Sequence, residues 1–142
     1  MNDWYEKEQL HFAADEGDLD KVKELVEKGN NVNAFDEDLS FTPLHYAVKG
    51  EHIEVVKYLL SVGADVNAHD EEKIGETPLG EVAANCSYEM AELLVKAGAN
   101  PTIPGWMQLT ALDHARDRKK EEGRCVYELL VETAKKKYHY EA

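Results

Sequence analysis

Cysteine is scarce in this chain: only Cys86 and Cys125 occur among 142 residues. They share no Cys-x-x-Cys spacing, which argues against a disulfide framework and against a cysteine-based zinc site. Long apolar runs are also missing. No stretch approaches the ~18 residues that a membrane-spanning helix needs. The start, Met1-Asn2-Asp3-Trp4-Tyr5-Glu6-Lys7-Glu8, has neither the basic nor the apolar segment of an export signal. A soluble chain in a reducing, cytoplasmic compartment is the expectation, with no membrane partner. Asn85-Cys86-Ser87 fits a glycosylation acceptor in form only, because nothing here directs export.

Cations are outnumbered, at 16 Lys and Arg against 29 Asp and Glu, for a net charge of −13. The imbalance is local. Residues 1–102 carry 22 acidic and 8 basic side chains, a net −14, whereas residues 103–142 carry 7 and 8, a net +1. Such a field disfavours nucleic acid and anionic membranes, both of which require a cationic footprint, and it favours solubility or a basic partner. Lys135-Lys136-Lys137 is read as a complement to the dipole at the end of a last helix.

Catalytic spacing is absent as well. There is no Gly-rich phosphate loop, no His-Glu-x-x-His, no Gly-x-Ser-x-Gly and no metal-ligand cluster. The six histidines are scattered, and adjacent carboxylates such as Glu71 and Glu72 lack the burial or partner that would tune a general acid. The expectation is a non-enzyme with no catalytic residue, cofactor or metal.

What the chain does contain is a pattern. In Thr42-Pro43-Leu44-His45-Tyr46-Ala47, the Thr42 hydroxyl suits a helix N-cap and Pro43 the first helical turn. Ile53, Val56, Leu59 and Leu60 then recur at helical spacing, and Gly63 stands where a left-handed residue closes a helix. Leu44 has counterparts at Leu10, Leu79 and Leu112, spaced by 34, 35 and 33 residues, and Gly63 has counterparts at Gly29 and Gly98. The third copy has Gly80 where the second has His45, losing a helix former and a polar tie. The fourth substitutes Thr110-Ala111-Leu112-Asp113-His114-Ala115.

Thr-Pro-Leu-His-x-Ala at this period resembles the ankyrin repeat. The resemblance covers about residues 8–134. It implies an all-α solenoid of four helix-turn-helix repeats, near 1–34, 35–68, 69–102 and 103–136, in one domain spanning 1–142 with a tail at 137–142. The terminal repeats would act as caps, Trp4 and Tyr5 would cover the first repeat, and both ends read as finished.

The same resemblance implies turns that project as fingers beside a concave face. These fall at 35–41, 69–76 and 103–109. The first two are acidic and the third is apolar. Measured from Asn33 to Thr42 and from Asn67 to Thr77, the first two are one and two residues longer than the family pattern, and the first lacks its usual glycine. Added length in surface turns costs the fold little and is where specificity is commonly carried. Asp36 and Asp70 match an aspartate that serves the turn itself. The candidate partner-binding residues are therefore Glu37, Asp38, Phe41, Glu71, Glu72, Glu76, Trp106 and Met107. Trp106, Met107, Phe35 and Phe41 have a second reading, as side chains that cover the core.

Stacked repeats offer an extended binding surface. By resemblance, the expected role is a monomeric protein-binding module whose partner is a basic protein. Small cytosolic ankyrin proteins resemble immunity proteins encoded beside toxins, and an acidic face would suit the basic cleft of a nuclease toxin. A regulatory adaptor for an enzyme or a transcription factor is the alternative.

Overall fold

Leu10, Leu44, Leu79 and Leu112 are all buried, at 2% exposure or less, because each sits on the inward side of the first helix of a helix pair. The computed structural model describes residues 8–73, 75–116, 118 and 120–139. Trp4 and Tyr5, expected to cover the first repeat, lie outside them, as does Ile74 of the second finger. Eight α-helices form four consecutive pairs among the described residues: α1 (Gln9–Glu16) and α2 (Leu19–Glu27), α3 (Pro43–Lys49) and α4 (Ile53–Ser61), α5 (Pro78–Val82) and α6 (Tyr88–Lys96), then α7 (Ala111–Arg116) and α8 (Glu121–Lys137). The first helices stack in the order α1, α3, α5, α7, with α2 against α4 and α6 against α8. This is the all-helical solenoid that the repeat pattern predicts.

The helix boundaries follow from caps. The Thr42, Thr77 and Ser87 side chains accept from the amides of His45, Gly80 and Met90, satisfying donors that a helix start leaves unpaired. At the other end, Gly29, Gly63 and Gly98 adopt φ of 98°, 99° and 99°. The next amide then bonds back five residues in every case, Asn30 to Leu25, Ala64 to Leu59 and Ala99 to Leu94, a closure that only a left-handed residue permits.

Side chains also tie neighbouring repeats. The Asn33 amide donates to the Gly63 carbonyl and its oxygen accepts from the Asp65 amide, and Asn67 repeats the pair with Gly98 and Asn100. On the helix-turn side, His52 bonds the Asp15 carbonyl, Ser87 bonds the Glu51 carboxylate, and Arg118 donates to the Ala83 carbonyl. The last helix is secured by the Tyr138 hydroxyl, which donates to the Gly98 carbonyl.

Val22, Leu25, Val56, Leu59, Met90, Leu94, Val126 and Leu130 from the second helices complete one buried apolar cluster among the described residues. Cys86 belongs to it, and burial lifts its thiol to about 11, whereas Cys125 is exposed and unbridged.

The first finger lacks a glycine, and Ser40 supplies the left-handed turn instead, with φ 56° while buried. An L side chain in that region is strained by roughly 1–2 kcal/mol, whereas glycine is not. Part of that gain is offset by the greater freedom of glycine in the unfolded chain. Ser40→Gly should therefore raise stability by up to about 1 kcal/mol, seen as a higher midpoint in urea with an unchanged slope.

Candidate functional site

The first two fingers are each rooted by the histidine at the start of a helix pair. His11 Nε2 donates to the Ala34 carbonyl at 2.7 Å and His45 Nε2 to the Glu76 carbonyl at 2.7 Å. His45 also completes a reciprocal cap. Its Nδ1 accepts from the Thr42 amide at 3.0 Å while the Thr42 hydroxyl accepts from the His45 amide. Because Nδ1 accepts and Nε2 donates, the ring is the neutral Nε2–H tautomer. Burial, the largest cause, lowers its pKa to about 4.

The first finger turns on Asp36, as the sequence predicts. Its carboxylate is buried and accepts from the amides of Leu39 and Phe41 and from the Tyr46 hydroxyl. Burial alone would raise its pKa, but these donors outweigh it and hold the carboxyl below its ordinary value. Glu37 and Asp38 stand free at the tip, both exposed. Their negative charge reaches Glu8 at the base of the stack, whose carboxyl is raised first by burial and then by Asp36, Asp38 and Glu37.

In the second finger, Glu71 and Glu72 begin a single 3-10 turn, Glu71–Lys73, and both are exposed. Asp70 accepts from the Glu72 amide, and Glu71 approaches His69 at 3.5 Å. Among the residues whose side chains are described, of which Lys73 is not one, no lysine or arginine forms an ion pair with Glu37, Asp38, Glu71 or Glu72. The third finger carries Trp106 and Met107, which are 63% and 66% exposed. They do not fold over the last repeat, so the reading of them as a cap of the core is set aside. The second and third fingers adjoin, since His69, Glu71, Gly75, Ile103, Pro104 and Gln108 line one recess of about 400 Å³.

Two of the eight candidate residues are placed elsewhere. Phe41 is 7% exposed and stacks on His45 with ring centres 4.8 Å apart. It meets Tyr46 edge-on at 5.5 Å, under the Lys49 ammonium. It directly precedes the Thr42 cap, and a residue there packs against the fourth helical residue, here Tyr46, as a hydrophobic staple. That local rule is the signal that assigns Phe41 to packing and not to a partner.

Glu76 occupies the corresponding place before Thr77 and is likewise drawn inward, its side chain 14% exposed. Its Oε1 accepts from the Trp106 amide at 3.1 Å and lies 3.4 Å from His114 Nε2. The tie that Gly80 forgoes is thus made by Glu76. A Cβ on Gly80 would come within 2.6 Å of Glu76 Oε2, and one on Gly105 within 2.5 Å of its carboxyl carbon. Both glycines leave room for this carboxylate. In the fourth pair, Asp113 replaces the capping histidine, accepting from the Thr110 amide and hydroxyl. The amide bond is the main cause that holds its carboxyl below the usual value.

Six candidate side chains therefore remain at the finger tips: Glu37, Asp38, Glu71, Glu72, Trp106 and Met107. Among the described residues, no group of three or more His, Cys, Asp and Glu converges on a metal-sized site, and no helix is long and apolar enough to cross a membrane. A family model described as ankyrin repeats, in three copies, matches residues 10–105. No curated protein matches the chain. The match stops at the root of the third finger, before the α7–α8 pair.

Proposed function

Because the chain belongs to the ankyrin-repeat family, we propose that it binds a cationic protein through its fingers. Ankyrin repeats are generally protein–protein interaction modules, and the family is typically non-enzymatic. The observation that carries the finer reading is the set of four exposed carboxylates, Glu37, Asp38, Glu71 and Glu72, displayed on two successive fingers. Like charges held on successive fingers create a field that a basic surface relieves, and such fields steer association. Trp106 and Met107 add apolar area beside them, and aromatic side chains of this kind anchor interfaces.

A domain with a nucleic-acid-binding cleft, such as a nuclease-type toxin, has the complementary charge, and an immunity or inhibitor role follows from occupying that cleft. The support for this is the charge of the fingers taken together with the resemblance of small ankyrin proteins to immunity proteins.

The test is a Glu37→Lys, Glu71→Lys double variant. Both sites are exposed, so each change should cost the fold no more than about 0.5 kcal/mol. Against a partner recovered by pull-down from the native host, association at low salt should slow by about tenfold or more. Raising ionic strength should weaken the wild type far more than the variant. Equal association rates for the two proteins at both salt concentrations, with helical melts intact, would show that the acidic fingers only solubilise the chain.

A further inference from the structure

The third finger combines three features that the other two lack. Its tip exposes Trp106 and Met107 with no carboxylate beside them in the finger, its backbone is left-handed at two consecutive non-glycine residues, and its base is held by a half-buried carboxylate that belongs to the neighbouring finger. Met107 and Gln108 have φ of 58° and 62°, a conformation that such side chains adopt only when their surroundings impose it. The turn is closed on itself, the Gly105 amide bonding the Leu109 carbonyl at 2.8 Å and the Gln108 amide bonding the Gly105 carbonyl at 3.0 Å. The Trp106 amide does not point to solvent but to Glu76 Oε1 at 3.1 Å.

Glu76 reaches that amide only because two positions carry no side chain. Gly80 stands where the preceding pair has His45, and Gly105 opens the finger itself. In the first two pairs a histidine bonds a carbonyl at the root of the next finger. Here a carboxylate bonds the amide of the residue that is displayed. A charged acceptor gives a stronger hydrogen bond than a neutral one, and a finger fixed before binding loses less conformational freedom on binding.

We propose that Glu76 is a positioning residue that presents Trp106 and Met107 as a preformed apolar anchor, for insertion into an apolar pocket with a cationic rim on a partner protein. The rim follows from the neighbouring finger, since Glu71 shares a recess with Ile103, Pro104 and Gln108 and would lie at the mouth of any pocket that takes Trp106. The inference rests on the protein-binding reading above, but it assigns dissociation to the third finger and association to the first two.

The first arm of the test uses the free protein. Hydrogen exchange at the Trp106 amide should speed up by tenfold or more in Glu76→Ala. It should also do so in Gly80→Ala, where a better helix former displaces the Glu76 carboxylate without removing it. Glu76→Gln keeps a carbonyl acceptor and should retain most of the protection. Unchanged exchange in both alanine variants overturns the positioning role.

The second arm places a benzoylphenylalanine photocrosslinker at position 106 and, separately, at position 37, in native-host lysate. The protein crosslinked at position 106 is purified and used as the probe. Trp106→Ala should raise its dissociation rate by tenfold or more with the salt dependence unchanged. Glu76→Ala should raise it by a smaller factor, with Glu76→Gln near the wild type. Crosslinking at 37 but not at 106, or dissociation indifferent to Trp106→Ala while the charge-reversed double variant binds weakly, overturns the anchor and leaves the acidic-finger reading standing. Loss of binding in Trp106→Ala with no effect of charge reversal does the opposite.

Discussion

Leu44→Ala should destabilise the protein by about 2–5 kcal/mol, the range for truncating a buried leucine that its surroundings cannot refill. Leu44 is 1% exposed on α3, which packs against α1, α4 and α5. It therefore serves the core of its own pair and the interfaces on both sides. In a stack whose stability is a sum of repeat and interface contributions, loss in a central repeat weakens three contributions at once. A whole domain holds roughly 5–15 kcal/mol, so this one change removes a large share. Urea unfolding followed by helical circular dichroism measures it. Leu109→Ala is the control, since Leu109 is 37% exposed and should lose no more than about 0.5 kcal/mol. Coincident midpoints for wild type and Leu44→Ala would remove Leu44 from the core.

The repeat was legible in the sequence because its determinants are local and recur. Thr-Pro caps, leucines at a fixed spacing and glycines at helix ends each act within one or two turns, and the structure puts all of them where that logic requires. The acidic tips were legible for the same reason, as charges in turns between capped helices. Trp106 and Met107 could not be placed from the sequence, because an apolar pair in a turn reads equally as an anchor or a cover; their exposure removes the cover and leaves the anchor as a proposal.

Phe41 and Glu76 were misplaced for a shared cause. Both directly precede the capping threonine, the point where the chain leaves the finger and turns back toward the stack. A linear reading groups them with the tips. The staple between Phe41 and Tyr46 was recoverable from helix-start rules. The clamp at Glu76 was not, because it joins residues 76, 80, 105 and 114 across two repeats. Gly80 alone looks like a lost contact, and only the carboxylate lying where a histidine side chain would run shows that the contact has been exchanged.

Acid should weaken the fold through His45. In the native state this ring is fully buried and neutral. Nδ1 accepts from the Thr42 amide and Nε2 donates to the Glu76 carbonyl. A second proton would set an N–H at Nδ1 against the Thr42 N–H, and burial disfavours the charged ring in any case. The folded pKa is accordingly lowered to about 4, against about 6.5 in the unfolded chain. The unfolded state thus binds a proton that the folded state refuses between these two values, and stability must fall as pH falls through that window. Above about pH 6.5 the contribution is fully present, and below about pH 4 its loss is complete.

The slope approaches ~1.4 kcal/mol per pH unit inside the window, for a total on the order of 3 kcal/mol. Protonating surface carboxylates relieves the repulsion of a chain at −13 and acts in the opposite sense, so the absolute curve is not the test. The difference between the wild type and His45→Gln is. Glutamine carries no titrating proton, and the variant shares the other charges. It should be the less stable protein at pH 7, and its deficit should shrink steadily as pH is lowered from 7 to 4, read from urea unfolding at half-unit intervals. Parallel stability curves for the two proteins across that range would mean that His45 is not held neutral in the stack, and the capping role assigned to its Nδ1 would fall with it.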